Sequence, residues 1–166
     1  MLLENEVDIA CITETWLNAE YPTESVDITD YVCVRRDRSS GRQGGGLACC
    51  VRHDLPFSRM KELEKPDLES LWLLYRSPRM PRWVSHIGVG VIYNPPGAND
   101  RLMSDHIISC VDVITKQHPY AVVVVAGDFN RLRDASLCCY PLKQTVKTAT
   151  RGAVVLDKIY TNIADW

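Results

Sequence analysis

AVVVVAGDFN occupies residues 121–130, an uninterrupted apolar run that passes through Gly127 and ends on a carboxylate, an aromatic ring and a carboxamide. A strand without a polar face reads as an inner strand of a sheet covered on both sides. Such strands rarely finish on an acid by accident. In layered α/β sheets, functional groups collect outside the carboxyl ends of strands, where several ends open into one crevice. Asp128 and Asn130 stand at that end. The stretch therefore predicts an α/β (α+β) layered domain, with this strand inside the sheet and a site at its C-terminal end.

The same design recurs outward from it. VDIACIT (7–13) runs into Glu14, Thr15 and Trp16, HIGVGVIYN (86–94) delivers Tyr93 and Asn94 before two prolines, and AVVLDKIYTN (153–162) reads as a last strand with Asp157 set in apolar residues. YVCVRRD (31–37) and LACCVR (47–52) flank a glycine-rich loop and read as a hairpin; ESLWLLYR (69–76) pairs with 86–94 across the proline-containing SPRMPRW. Asn99 or Asp100 caps a helix over about 101–117, whose apolar stripe is Leu102, Ile107, Ile108, Val111 and Ile114, and His118 and Pro119 end it. A short irregular or helical piece is expected around 133–140, and MLLENE as the end of a helix.

Composition bounds the rest. With 166 residues and 46% hydrophobic content, residues 1–166 read as one globular domain. Nineteen Lys and Arg against 21 Asp and Glu give a net charge of −2, so a polyanion would be held locally and not by bulk charge. The seven cysteines (11, 33, 49, 50, 110, 138, 139) show neither CxxC nor Cys/His zinc spacing. They read as reduced, mostly buried small hydrophobes with no disulfide partner. With no apolar run near 18 residues and no charged leader, the chain reads as nuclear or cytoplasmic, not secreted and with no membrane partner.

Four strand ends that each present an oxygen-bearing side chain can build one site. Oxygen donors without Cys or His select a hard cation, Mg²⁺ or alternatively Mn²⁺, and Mg²⁺ commonly takes only one or two protein carboxylates. Glu14 is the candidate ligand. A cation so held suits phosphate-ester hydrolysis, with amide and phenol donors placing the phosphate. Gly44–Gly46 reads as a tight hairpin, since neither GK[ST] nor GxGxxG accompanies it. Trp16, Trp72, Trp83 and Tyr75 read as core first and as base-stacking rings second. Arg131, Arg133 and Arg151 read as solvated first and as phosphate partners second.

CITETWL, GGGLACCVR, ESLWLLYR, VIYNPPG, AGDFN and TRGAVVLDKIYTN, in this order, resemble the endonuclease/exonuclease/phosphatase superfamily, the DNase I-like fold. Their wording is most similar to the apurinic-type endonuclease domain of non-LTR (LINE-like) retrotransposons. The resemblance implies a sandwich of mixed β-sheets flanked by helices. It also implies Glu14 as the metal-binding glutamate, Tyr93 as a contact to the scissile phosphate, and Asp128 as the residue that positions or activates the attacking water. Asn130 would bind phosphate, and Asp157 would orient a catalytic histidine. The implied activity is Mg²⁺-dependent nicking of DNA, with a linked reverse transcriptase as partner in a full-length element.

The family pattern begins one strand earlier and ends later, on a Ser-Asp-His block. The chain is therefore expected to be a partial, incomplete domain with exposed sheet edges and with weak or lost activity. None of His53, His86, His106 and His118 lies in such a block. His118 and Asp128 bracket one strand and should sit roughly 25 to 30 Å apart. His53 is the least unsuitable replacement. Two alternatives remain open: a phosphatase or phosphodiesterase acting on small phosphate esters, and a catalytically dead nucleic-acid-binding remnant.

Overall fold

The computed structural model describes residues 2, 4–38, 44–76 and 80–163. The described strands form two sheets. The smaller contains β1 (Ile9–Thr13), β2 (Tyr31–Arg36) and β3 (Leu47–Arg52) in the antiparallel order β1-β3-β2. The larger contains β4 (Phe57–Arg59), β5 (Glu69–Tyr75), β6 (His86–Tyr93), β7 (Ala121–Asp128), β8 (Lys143–Gln144) and β9 (Asp157–Thr161), in the order β4-β5-β6-β7-β9-β8. β6 and β7 are parallel and every other pairing is antiparallel. A parallel pair needs a crossover, and α1 (Asp100–Gln117) supplies it. A second, five-residue helix, α2, spans Ala135–Cys139.

Side-chain alternation sorts the large sheet into two faces. Trp72, Ile92, Val123 and Val125 point to α1 and pack on Ile107, Val111 and Ile114, while Leu71, Leu73, Val89 and Val91 point to the small sheet and meet Leu47, Cys49 and Val51. The result is three layers: small sheet, large sheet, helix. Asn99 caps α1 by accepting from the Leu102 amide at 3.1 Å, as its position predicted. Leu102, however, is exposed; the buried stripe is Met103, Ile107, Cys110, Val111 and Ile114.

The small sheet covers only part of the large one. β1 is one of its two edge strands, and beside it runs an apolar groove of about 480 Å³, floored by Val89, Val124 and Ala126 and walled by Ile9, Cys11 and Ile159. β7 is thus an inner strand, as its composition required, but one of its faces is partly open.

Several expectations are corrected. Residues 4–6 form a turn and no helix, with positions 1 and 3 outside the described residues. The last strand begins at Asp157 and not at 153, because the bridge Arg151–Val154 closes a turn first. Asp157 therefore opens β9 and does not interrupt it. Trp72 and Tyr75 are core, but Trp16 and Trp83 are exposed, as are Cys138 and Cys139. The cysteine reading fails at one pair: Cys33 and Cys50 form a disulfide. They sit directly opposite each other in the β2–β3 register, with Cα atoms 4.0 Å apart, a relation that spacing along the chain does not reveal. Parts of SPRMPRW and of the loop before the three glycines, 77–79 and 39–43, lie outside the described residues.

Candidate active site

The strand register lines up the site. Glu69 pairs with Tyr93, Tyr93 with Asp128, and Asp128 with Asp157, so one row crosses β5, β6, β7 and β9. Directly paired residues share a face, and this row faces the small sheet at the carboxyl end of the parallel pair. Gly127 makes the row possible. Its φ is +145°, and a Cβ there would lie 2.0 Å from the carbonyl oxygen of Ile92. Only glycine lets β7 approach β6 so closely just before Asp128.

Glu14 arrives from the other layer. It follows β1, and its Oε1 accepts a hydrogen bond from the Tyr93 hydroxyl at 2.6 Å. Asn130 is fixed twice: its amide donates to Asp128 Oδ1 at 2.8 Å, and its Nδ2 donates to the Asn94 carbonyl at 3.0 Å. Asn94 is buried, donates its own side-chain amide to Asp100 Oδ1 and its backbone N–H to the Asp128 carbonyl, and so joins the end of β6 to both β7 and the start of α1. Its buried Oδ1 has no partner among the described residues. Glu14 and Asn130 are both non-glycine residues in the left-handed region, with φ of 54° and 48°. Strain of this kind persists where surrounding structure over-determines it, and it gathers at functional sites.

The three glycines do more than turn a hairpin. Gly46 and Gly45 carbonyls accept the amides of Thr15 and Trp16 at 3.2 and 2.9 Å, so the loop carrying Glu14 is laced to them. The Gly46 amide donates to Glu69 Oε2 at 2.8 Å, and Arg38 Nε donates to Glu69 Oε1 at 2.7 Å. The Arg38 guanidinium lies 5.6 Å from the centre of the Tyr93 ring. A Cβ at Gly46 would stand 2.5 Å from Thr15 Oγ1, and one at Gly45 would stand 2.3 Å from the Arg38 guanidinium. Sequence reasoning missed Arg38 and Glu69. The antiparallel pairing of 69–76 with 86–94 did contain the signal for Glu69, because it sets the first residue of one strand against the end of the other.

Residues 1–162 match the model of the Endonuclease/Exonuclease/phosphatase family. The chain belongs to that family. Among solved structures, it is similar to the endonuclease domain of TRAS1, a telomere-specific non-LTR retrotransposon, with a TM-score of 0.67 and 14% identity, over 96% of this chain and 74% of that one. It is also similar to truncated Caenorhabditis elegans TDP2, with a TM-score of 0.63 and 14% identity over 97% and 73% of the two chains. A third is D. rerio TDP2 complexed with single strand DNA product, with a TM-score of 0.58 and 11% identity over 96% and 72%. No curated protein matches the chain. At these identities the likeness shows the fold, which is the DNase I-like one the motif blocks implied.

In this endonuclease/exonuclease/phosphatase domain, charge is crowded on one side of the row. Burial, then the hydrogen bond and negative charge of Glu14, push the Tyr93 phenol up to about 12, with Arg38 opposing. The Asp128 carboxyl is held above its ordinary value, first by burial and then by the charges of Asp157 and Glu14, against the amide of Asn130. Among the described residues, no three His, Cys, Asp or Glu side chains converge into a metal cage. The donor set nevertheless suits Mg²⁺, which takes one or two carboxylates and leaves its other positions to water and phosphate. Glu14 is the residue that would hold it, and a divalent cation there would offset the negative charge of Glu14 and Asp157 that adds to the effect of burial on Asp128.

Arg131 and Arg151 come together although they are distant in sequence. With Asn130, Pro96, Gly97 and Leu156 they line a cavity of about 510 Å³ beside the row. Arg133 contributes its backbone amide to Asp100 Oδ2, at 3.1 Å. The histidines all lie elsewhere. His53 is at the opposite end of β3 from the Glu14 loop, with Nδ1 3.1 Å from the Asp30 carbonyl. His86 and His118 lie against each other with ring centres 4.0 Å apart and planes tilted by 42°, near the start of β6 and β7, seven register positions or roughly 23 Å from the Tyr93–Asp128 pair. His106 belongs to the buried face of α1, with Nε2 2.9 Å from Ser70 Oγ. No imidazole stands at Asp157, and His53 is no replacement.

Proposed function

We propose that this chain is a Mg²⁺-dependent phosphodiester hydrolase that nicks DNA, as the endonuclease domain of a non-LTR element does. The observation that carries the reading is the convergence of Glu14, Tyr93 and the Asp128–Asn130 pair from three separate segments at one strand-end row, with Glu14 and Asn130 in strained backbone. Asp128, whose carboxyl is raised by burial, is suited to hold an attacking water and take its proton as the water oxygen bonds to phosphorus. The Asn130 carboxamide keeps one N–H for a phosphate oxygen beside the one it gives to Asn94, and the Tyr93 hydroxyl, which donates to Glu14, would turn to phosphate once a cation takes that carboxylate. Mg²⁺, when bound at Glu14, would polarise the phosphoryl oxygen and stabilise the leaving 3′ oxygen. The bond broken is P–O3′, and the departing 3′ oxygen takes a proton from solvent water to become the 3′ hydroxyl that a linked reverse transcriptase can extend.

DNA is favoured as substrate by two of the similar structures, a retrotransposon endonuclease domain and a TDP2 complexed with a single strand DNA product. The absence of a histidine at Asp157 supports a second reading, polyanion binding with little turnover. The test is nicking of supercoiled plasmid by the purified chain, with Mg²⁺, with EDTA and as Asp128→Ala. Nicking abolished in both controls is the expected result for the first reading. Salt-sensitive DNA binding without nicking establishes the second. Release of phosphate from inositol phosphates with no action on DNA overturns both.

A further inference from the structure

Trp16 is 64% exposed, at the rim of the site, two residues beyond Glu14. A lone exposed apolar side chain is ordinary and argues nothing alone. The construction beneath this one is not ordinary. Trp16 sits in the left-handed region, with φ of 57°, two residues after the equally strained Glu14. A bulky residue is held there only when its surroundings insist on it. Here they do: the Thr15 amide bonds to Gly46, the Trp16 amide to Gly45, and the Leu17 amide to Thr15 Oγ1 at 3.4 Å. Further along the loop, the Asn18 carbonyl accepts from the Arg35 guanidinium at 2.9 Å. The indole itself rests against Gly44, where a Cβ would stand 3.5 Å from Cε2 and Cζ2. The loop that places Glu14 thus also fixes an indole in solvent beside it.

Resting on the nuclease reading above, we infer that Trp16 is a stacking platform for a nucleobase next to the scissile phosphate, and that it takes an unstacked base: one in a single strand, at an end or displaced from a duplex. The chemistry selects this ligand. In a nucleic acid, the neighbour of a phosphate is a sugar bearing a planar base, whereas the neighbour in an inositol phosphate is a saturated polyol with no π face for an indole to cover. Inside a continuous duplex, both faces of every base are already stacked, so an indole gains contact only where stacking is broken. Base-aromatic stacking is tolerant of sequence, because every base has a π face.

The test is binding by the full chain in EDTA, where no turnover interferes, read as tryptophan fluorescence quenching, with fluorescence anisotropy of labelled oligonucleotides giving the affinities. The probes are a single-stranded oligonucleotide, an oligomer of the same length with abasic sugar-phosphate units, a blunt hairpin duplex and inositol hexakisphosphate. The expected result is quenching by the base-bearing single strand that is largely lost in Trp16→Phe, and an affinity loss of about tenfold in Trp16→Ala, the size of one aromatic stack. The abasic oligomer should bind wild type and Trp16→Ala alike. Because Trp16 is exposed, an unchanged thermal midpoint of Trp16→Ala shows that the fold is intact. Equal affinity of wild type and Trp16→Ala for the base-bearing strand overturns the inference and leaves the nuclease reading standing. Binding of inositol hexakisphosphate but of no oligonucleotide overturns both.

Discussion

His106 gives the sharpest physical test of the core that carries the site. It is 2% exposed, contacts Ser70 Oγ, and shares its surroundings with Cys110 and with the positive charges of Lys65 and Arg36. Burial, then those cations, lower its folded pKa from 6.5 to about 4. The sign follows from proton linkage: between those values the unfolded chain binds a proton that the folded chain refuses, so stability is complete above 6.5 and is lost as the pH falls toward 4. At pH 5 the loss is roughly 2 kcal/mol, and its ceiling below pH 4 is about 3 kcal/mol. Urea unfolding of wild type and of His106→Gln, at intervals from pH 7.5 to 4.5, isolates this contribution, because the other titrating groups are common to both chains. The wild type should lose about 2 kcal/mol more than the variant between pH 7 and 5. Parallel pH profiles would refute the assignment of a neutral, buried imidazole.

Gly127→Ala should cost about 3 kcal/mol or more, since it combines a forbidden φ with a collision against the β6 backbone; a shift in the urea midpoint worth less than about 1 kcal/mol counts against the register described. Cys33→Ser, or reduction of the wild type, should cost about 3 kcal/mol, the entropy of freeing a loop of 17-residue separation, and an unchanged midpoint on adding reductant contradicts the cross-link. Glu69→Gln weakens the acceptor that holds both Arg38 and the Gly46 amide and should lower stability by about 1 to 3 kcal/mol, read by thermal unfolding; no change means that the pair is solvated. Under the proposed function, Glu14→Gln should cut Mg²⁺-supported nicking at least about tenfold, with partial recovery at high Mg²⁺, and wild-type rates in that variant remove Glu14 from the metal role.

How much of this was legible in the chain depended on whether the controlling physics was local. The strands at 31–36, 47–52, 69–75, 86–93 and 121–128 and the capped helix α1 follow from periodicity, apolar runs and an Asn cap, all of which act over a few residues. The positions of Asp128, Tyr93 and Glu14 at strand ends, and the family itself, were legible for the same reason. Where local signals were weak, the reading slipped: the three-residue β4 and two-residue β8 carry no usable pattern, and the turn bridged by Arg151 and Val154 looks apolar enough to pass for strand.

What the tertiary structure alone decided is which residues meet. Register set Cys33 against Cys50 and Glu69, Tyr93, Asp128 and Asp157 in one row, and a one-residue slip would have undone either. The folding of the glycine-rich loop onto the Glu14 turn made Gly45 and Gly46 a wall of the site and left Trp16 in solvent, although composition alone favoured a buried indole. The gathering of Arg131 and Arg151 at one cavity, and the placement of His53, His86 and His106 away from Asp157, likewise needed three dimensions. The sequence by itself determined the longer strands, the main helix and the chemistry they carry. Their partners were decided by strand pairing and layer packing, because these contacts link residues whose separation along the chain contains no record of their distance in space.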